Sequence, residues 1–74
     1  MKYIIADMTR ARSAGFDPLL HLAAGGRMVI NARELEINPR LTGTLAQRAE
    51  ALGGTVYQNA AAAKMAVNEL NKKR

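Results

Sequence analysis

Short apolar runs mark three segments of the chain as β-strands. Residues 2–7 contain the run YIIA before Asp7, and the segments RMVIN (27–31) and TVYQ (55–58) are also rich in β-branched or aromatic residues. Runs of this length and composition, bounded by Gly, Asn or Asp, are typical of strands. The pattern therefore predicts three strands.

Helical segments follow the first two strands. Asp7 is a candidate N-cap and Gly15 a candidate stop for a short helical turn. The segment ARELEI (32–37) is a second helical turn, and the Asn38–Pro39 pair ends it because proline disfavours helical geometry in the residue before it.

The clearest helix signal is the segment TLAQRAEALGG. Thr44 and Gln47 have the spacing of a capping box, in which each residue bonds the other's backbone N–H. Leu45, Ala49 and Leu52 fall on one face, and the glycine that follows is a natural helix end.

The C-terminal segment predicts an amphipathic helix capped by Asn59. One arc of the helix is apolar, and the opposite arc is polar. The apolar arc contains Ala62, Ala63, Ala66, Val67 and Leu70, with Met65 near the boundary, and the polar arc contains Lys64, Asn68, Asn71 and Lys72.

Residues 18–24 admit two interpretations. Asp17 in an N-cap position and Pro18 in the first helical position favour a helix that Gly25–Gly26 ends. The alternative is a hairpin over residues 19–31 that turns at the same two glycines. The helix is the preferred interpretation.

The order β-(α)-β-α-β-α favours an α/β fold, with a three-stranded parallel sheet covered by helices. An α+β arrangement that contains an antiparallel pair is the alternative. Seventy-four residues provide for one core, so residues 1–71 are predicted to form a single compact domain. Residues 72–74 are predicted to be a basic, frayed tail.

Charge makes nucleic acid a candidate partner, because the net charge is +5 and the pI is about 10.3. The excess is unevenly distributed: residues 1–33 carry +3, residues 34–71 carry −1, and the last three residues carry +3. More than half of the excess therefore belongs to the tail, where it is typical of a solubilising segment.

Several kinds of chemistry are excluded by composition. The chain has no cysteine and one histidine, His21, so thiolate chemistry and a His-rich or Cys-rich metal site are ruled out. His21, the carboxylates Glu34 and Glu36, and the hydroxyl residues lack the partners that catalysis needs. The opening apolar run is too short for a secretory or membrane segment. We therefore expect a cytoplasmic protein that is not an enzyme and uses no cofactor.

The pair Gly53–Gly54 resembles a phosphate-binding loop at first sight. Such loops lead from a strand into a helix, whose N-terminal N–H groups bind the anion. This pair has the reverse order, from a helix into a strand, and lacks the spacing of known phosphate-binding motifs. The pair is therefore predicted to be the connection between a helix and a strand.

A parallel sheet would bring other polar residues to one edge, where the strands end. Convergent arginines beside amide groups are suited to an anion or a nucleic-acid backbone. In the opposing interpretation, the polar residues cap helices and the arginines are solvated. The candidate contact residues are Arg10, Arg12, Arg33, Asn31 and Asn59.

The sequence as a whole predicts a small, non-catalytic, cytoplasmic interaction module that self-associates or docks on a protein partner. The missing catalytic constellation, the small core and the amphipathic last helix favour this function. The alternative is a nucleic-acid-binding accessory protein that uses the edge bearing Arg10, Arg12 and Arg33. Neither a membrane nor a metal is expected as a partner.

Overall fold

Four strands and four helices follow one another along residues 1–72, the part of the chain that the computed structural model describes. The strands are β1 (Tyr3–Asp7), β2 (Leu22–Ala24), β3 (Arg27–Asn31) and β4 (Thr55–Tyr57), and the helices are α1 (Met8–Ser13), α2 (Ala32–Ile37), α3 (Leu45–Ala51) and α4 (Ala60–Lys72). Of the predicted basic tail, Lys72 belongs to α4, and residues 73–74 lie outside the described part.

The strands form one antiparallel sheet in the order β2-β3-β1-β4. The central pair aligns Ile5 with Val29, and β4 pairs with the other side of β1. The expected small domain, a sheet covered by helices, is confirmed. In detail the fold is the α+β form, with four strands where three were predicted, and the sheet is antiparallel rather than parallel.

The predicted helix over residues 18–24 is wrong, and the hairpin alternative is confirmed. Gly25 and Gly26 have φ angles of 58° and 77°, as a two-residue turn between twisted strands requires. The side chain of Asp17 accepts a hydrogen bond from the backbone N–H of Leu19 at 2.9 Å, which closes a turn instead of starting a helix. Pairing of β2 with β3 provides ladder hydrogen bonds that outweigh one isolated helical turn.

Helices cover both faces of the sheet, but unequally. On one face, α1, α2 and α3 enclose a large core, whose fully buried large side chains are Ile4, Met28, Ile30, Leu35 and Leu52. On the other face, α4 buries a smaller core of four residues, Ile5, Val29, Ala63 and Val67. The alternation of side chains along β1 and β3 thus supplies both cores.

The expected amphipathic character of α4 is confirmed. Ala63 and Val67 are buried against the sheet, whereas Lys64 and Met65 are exposed. The helix packs mainly on β1, β3 and β4. Its apolar stripe is built from small side chains, which is why the second core is thin.

The helix-to-strand joint at Gly53–Gly54 is also confirmed. Gly53 has a φ of 64° and donates to the carbonyl of Glu50, and Gly54 donates to the carbonyl of Ala49. These two bonds are those of a Schellman motif at a helix C-terminus. A Cβ on Gly54 would lie 2.7 Å from Cγ2 of Ile4 and 2.9 Å from the carbonyl oxygen of Ile5. Gly54 therefore allows the chain to pass close to β1.

Candidate functional site

The residues predicted to form an anion-binding edge lie in two separate places. β1 ends at Asp7, paired with Arg27, whereas β3 ends at Asn31, paired with Tyr3. The segments that follow these strands therefore begin at opposite ends of the antiparallel sheet. The convergence of Arg10 and Arg12 with Arg33 rested on parallel strands and is not observed.

Arg10 and Arg12 lie on α1 at one end of the sheet. Both side chains are exposed, and Arg12 lines a small surface cavity with Thr9 and Ser13. The backbone N–H of Arg10 donates to the Asp7 carboxylate at 3.0 Å, so Asp7 is the N-cap of α1. The nucleic-acid alternative stays a prediction, and at this end of the sheet it is supported by two arginines rather than three.

Asn31 and Asn59 share the opposite end of the sheet. The Asn31 side chain accepts a hydrogen bond from the N–H of Arg33 at 2.8 Å, and the Asn59 side chain accepts one from the N–H of Ala62 at 2.8 Å. Both asparagines are therefore helix caps, as the opposing interpretation states. The exposed side chain of Arg33 lines a groove beside α2.

Three other arginines bond backbone carbonyls. Arg48 donates to the carbonyls of Leu35, Asn38 and Gly43, at 2.7–3.2 Å, and so secures the end of α2 and the loop that follows it. Arg40 donates to the carbonyl of Ser13 at 3.0 Å, and Arg27 to that of Gly25 at 3.1 Å. Part of the positive charge thus stabilises loops and turns of the fold.

The histidine packs against an aromatic ring. The rings of His21 and Phe16 meet edge to face with centroids 5.6 Å apart, and His21 is half-buried in the turn before β2. Residues 1–72 hold no cluster of three or more metal-ligating side chains. Over the same range, no helix combines the length and the apolar character that crossing a membrane requires.

An apolar surface at the hairpin was missed by the sequence analysis. Leu19 is 90% exposed, Leu20 77% and Leu22 48%. We call these three residues, together with the free edge of β2, the leucine surface. The hairpin register could have revealed part of it, because pairing with Val29 places Leu22 on the face that α4 covers.

The leucine surface continues into a groove between the hairpin and α4. Leu20, Leu22 and Val29 line this groove on one side, and Ala60 and Lys64 of α4 line it on the other. Val29 is only 7% exposed. The cover that α4 provides therefore decreases from β3 to β2, and this face of the sheet is incompletely covered at its edge.

No protein-family model, no curated protein and no solved structure matches the chain.

Proposed function

We propose that the chain is a small, non-catalytic, cytoplasmic interaction module that self-associates through the leucine surface. The observation that carries the proposal is the exposure of three leucines within four residues, beside an open sheet edge. Leu20 and Leu22 line the same groove, and clustered exposed apolar side chains are typical of protein interfaces.

The hydrophobic effect supplies the driving force. Burying a leucine side chain that was exposed contributes about 1.5–3 kcal/mol. Leu19 and Leu20 are almost fully available for such burial. Two copies that meet at this surface bury both sets of leucines. The free energy of this burial offsets the loss of translational and rotational entropy on association.

The edge of β2 supplies the directional contacts. In the two-residue hairpin, Ala24 and Arg27 form the hydrogen-bonded pair next to the turn, so the N–H and C=O of Ala23 point away from β3. Natural edge strands are commonly protected by charged residues or proline. β2 has neither, since its residues are Leu22, Ala23 and Ala24, and the protection that it does have is its length of three residues.

The distribution of charge favours a second copy as the occupant. With a net charge of +5, two copies repel each other at most orientations. Residues 18–26 contain no Asp, Glu, Lys or Arg, and the adjoining groove carries one cation, Lys64, and one anion, Glu34, so the net charge is low where two copies would meet.

In the proposed dimer, a two-fold axis passes between the Ala23 residues of the two copies. Antiparallel pairing of β2 with its copy lets the N–H of each Ala23 donate to the carbonyl of the other, and it joins two sheets into one. The two α4 helices then lie on the same face of the joined sheet. Leu22 of each copy lies diagonally across from Leu22 of the other, within contact range of long side chains.

The test is the molar mass in solution, measured by size-exclusion chromatography with light scattering over a range of concentrations. We expect the wild-type chain to approach twice the monomer mass as concentration rises. Leu20→Asp should remain monomeric, because it places a carboxylate in the interface. Met65→Asp is the matched control, since Met65 is 69% exposed on α4, outside the leucine surface, and this variant should associate as the wild type does.

Monomeric wild-type protein at every concentration would contradict the proposal. Equal loss of association in Leu20→Asp and Met65→Asp would also contradict it, because the effect would then come from added negative charge rather than from the leucine surface. Circular dichroism of both variants confirms that they are folded.

A further inference from the structure

A second groove lies beside α2 and shares no lining residue with the leucine surface. It is open to solvent, and its volume of about 560 Å³ is within the range of ligand-binding clefts in proteins. Its lining residues are Met1, Lys2, Ala32, Arg33, Glu36, Ile37 and Leu45. We call it the α2 groove.

Apolar side chains form part of the wall of the α2 groove. Ile37, the last residue of α2, is 68% exposed, and Met1 is also exposed. Leu45 at the start of α3 is half-buried, and Ala32 at the start of α2 is buried. Ile37 and Leu45 therefore give the groove apolar wall on both α2 and α3.

Two positively charged side chains, Lys2 and Arg33, also line the α2 groove. Lys2 and Arg33 are exposed, and the one salt bridge found within residues 1–72 joins Lys72 to Glu69. The ammonium group of Lys2 and the guanidinium group of Arg33 therefore have no ion-pair partner in the described chain. Glu36 is the one carboxylate in the wall, so the side chains that line the groove carry a net charge of +1 (two cations, one anion).

We propose that the α2 groove binds an acidic, amphipathic segment of a partner protein, in which apolar side chains are flanked by Asp or Glu. The apolar residues of the segment contact Ile37 and Leu45, and its carboxylates pair with Arg33 and Lys2. Arginine suits this role because its planar fork of donors fits a carboxylate. The cations reject a basic segment of equal hydrophobicity, and this gives the groove its specificity.

This site differs from the predicted arginine edge. Arg33 contributes to it without Arg10 or Arg12, which lie at the other end of the sheet. The ligand also differs, because the exposed Ile37 favours a peptide with apolar side chains over a phosphate backbone.

The test uses a fluorescein-labelled peptide made of repeated Glu-Leu-Leu-Glu units and reads its anisotropy during titration with the full chain. Two matched peptides accompany it, one with Lys in place of Glu and one with Ser in place of Leu. We expect the acidic, leucine-containing peptide to bind at least about tenfold more tightly than either matched peptide.

Two pairs of variants assign the binding to the groove. Arg33→Glu should weaken binding about tenfold, whereas Arg12→Glu makes the same charge change on α1 and should leave most of the affinity. Ile37→Ser should weaken binding, whereas Met65→Ser removes an equally exposed apolar side chain from α4 and should not. Thermal melts of all four variants establish that they remain folded.

Equal losses in Arg33→Glu and Arg12→Glu would overturn the proposal, because the attraction would then come from net charge. Binding of the serine-containing peptide as tightly as the leucine-containing one would overturn it too. A third contrary result is displacement of the acidic peptide by a single-stranded oligonucleotide at low concentration, which would indicate a nucleic-acid surface.

Discussion

The two faces of the sheet differ in how completely helices cover them. Three helices enclose the first face, where Ile4, Ile30 and Leu35 are fully buried. One helix with small apolar residues covers the second face, and Leu22 at its edge remains half exposed. The first face contains most of the buried core, and the second leaves the leucine surface exposed at its edge.

Two structural features account for this difference. α1 and α2 follow β1 and β3 directly and lie on the first face with α3, and Arg48 secures the loop between α2 and α3. The second face receives only the C-terminal helix, which packs on the side of the sheet formed by β1, β3 and β4. A sheet with an incompletely covered face is a common basis for association.

The largest expected effect is the loss of a leucine from the first core. Leu52→Ala should lower the free energy of unfolding by about 2–5 kcal/mol, because it leaves a cavity among packed side chains. Val67→Ala in the second core removes two methyl groups and should lower the free energy of unfolding by about 1.5 kcal/mol. Urea titrations of both variants measure the difference, and equal losses would show that the two cores contribute alike. His21→Ala, with its half-buried ring, should cost less than Leu52→Ala.

Substitution of Gly54, which packs against β1, should lower stability more than substitution of Gly26 in the hairpin turn. Gly54→Ala places a Cβ against Ile4 and the backbone of Ile5, which should cost about 2–3 kcal/mol. Gly26→Ala has open space around the new Cβ, and its cost is that of a positive φ, about 1–2 kcal/mol. Melting temperatures of the two variants provide the check. A larger loss for Gly26→Ala would mean that the close approach at β1 relaxes at little cost.

The smallest effect on stability is expected at the leucine surface. Leu20→Ser should change the free energy of unfolding of the monomer by less than about 0.5 kcal/mol, because Leu20 contributes little to either core. The measurement belongs at low protein concentration, where association does not add to stability. A loss comparable to that of Leu52→Ala would place Leu20 in the core.

Local signals in the sequence predicted much of this fold. The capping box of Thr44 and Gln47, the caps at Asp7, Asn31 and Asn59, and the end of α2 before Pro39 all depend on residues within a few positions of one another. Their hydrogen bonds form in the same way wherever the segment lies in the fold. For this reason the sequence predicted helices where α1, α2, α3 and α4 lie, and the helix predicted for residues 18–24 was the one that was wrong.

Features that depend on distant residues were not predictable in the same way. Residues 18–24 have helix-start chemistry at Asp17, but pairing of β2 with β3 decides their structure. The direction of the strands decides whether Arg10 and Arg33 meet, and no local pattern specifies it. The second role of Gly54, a close approach to Ile4, depends on a contact fifty positions away in sequence. The leucine surface became visible only with the hairpin in place.

Self-association through the leucine surface is tested most directly by an NMR dilution series that follows each backbone amide in the wild-type chain. We predict concentration-dependent shifts confined to the leucine surface, with exchange of the Ala23 amide slowing as protein concentration rises. Amides of β4, the opposite edge of the sheet, should not change. Shifts centred on β4 or on the exposed side of α4, or a spectrum that does not change with concentration, would contradict the claim that the incompletely covered face is the site of self-association.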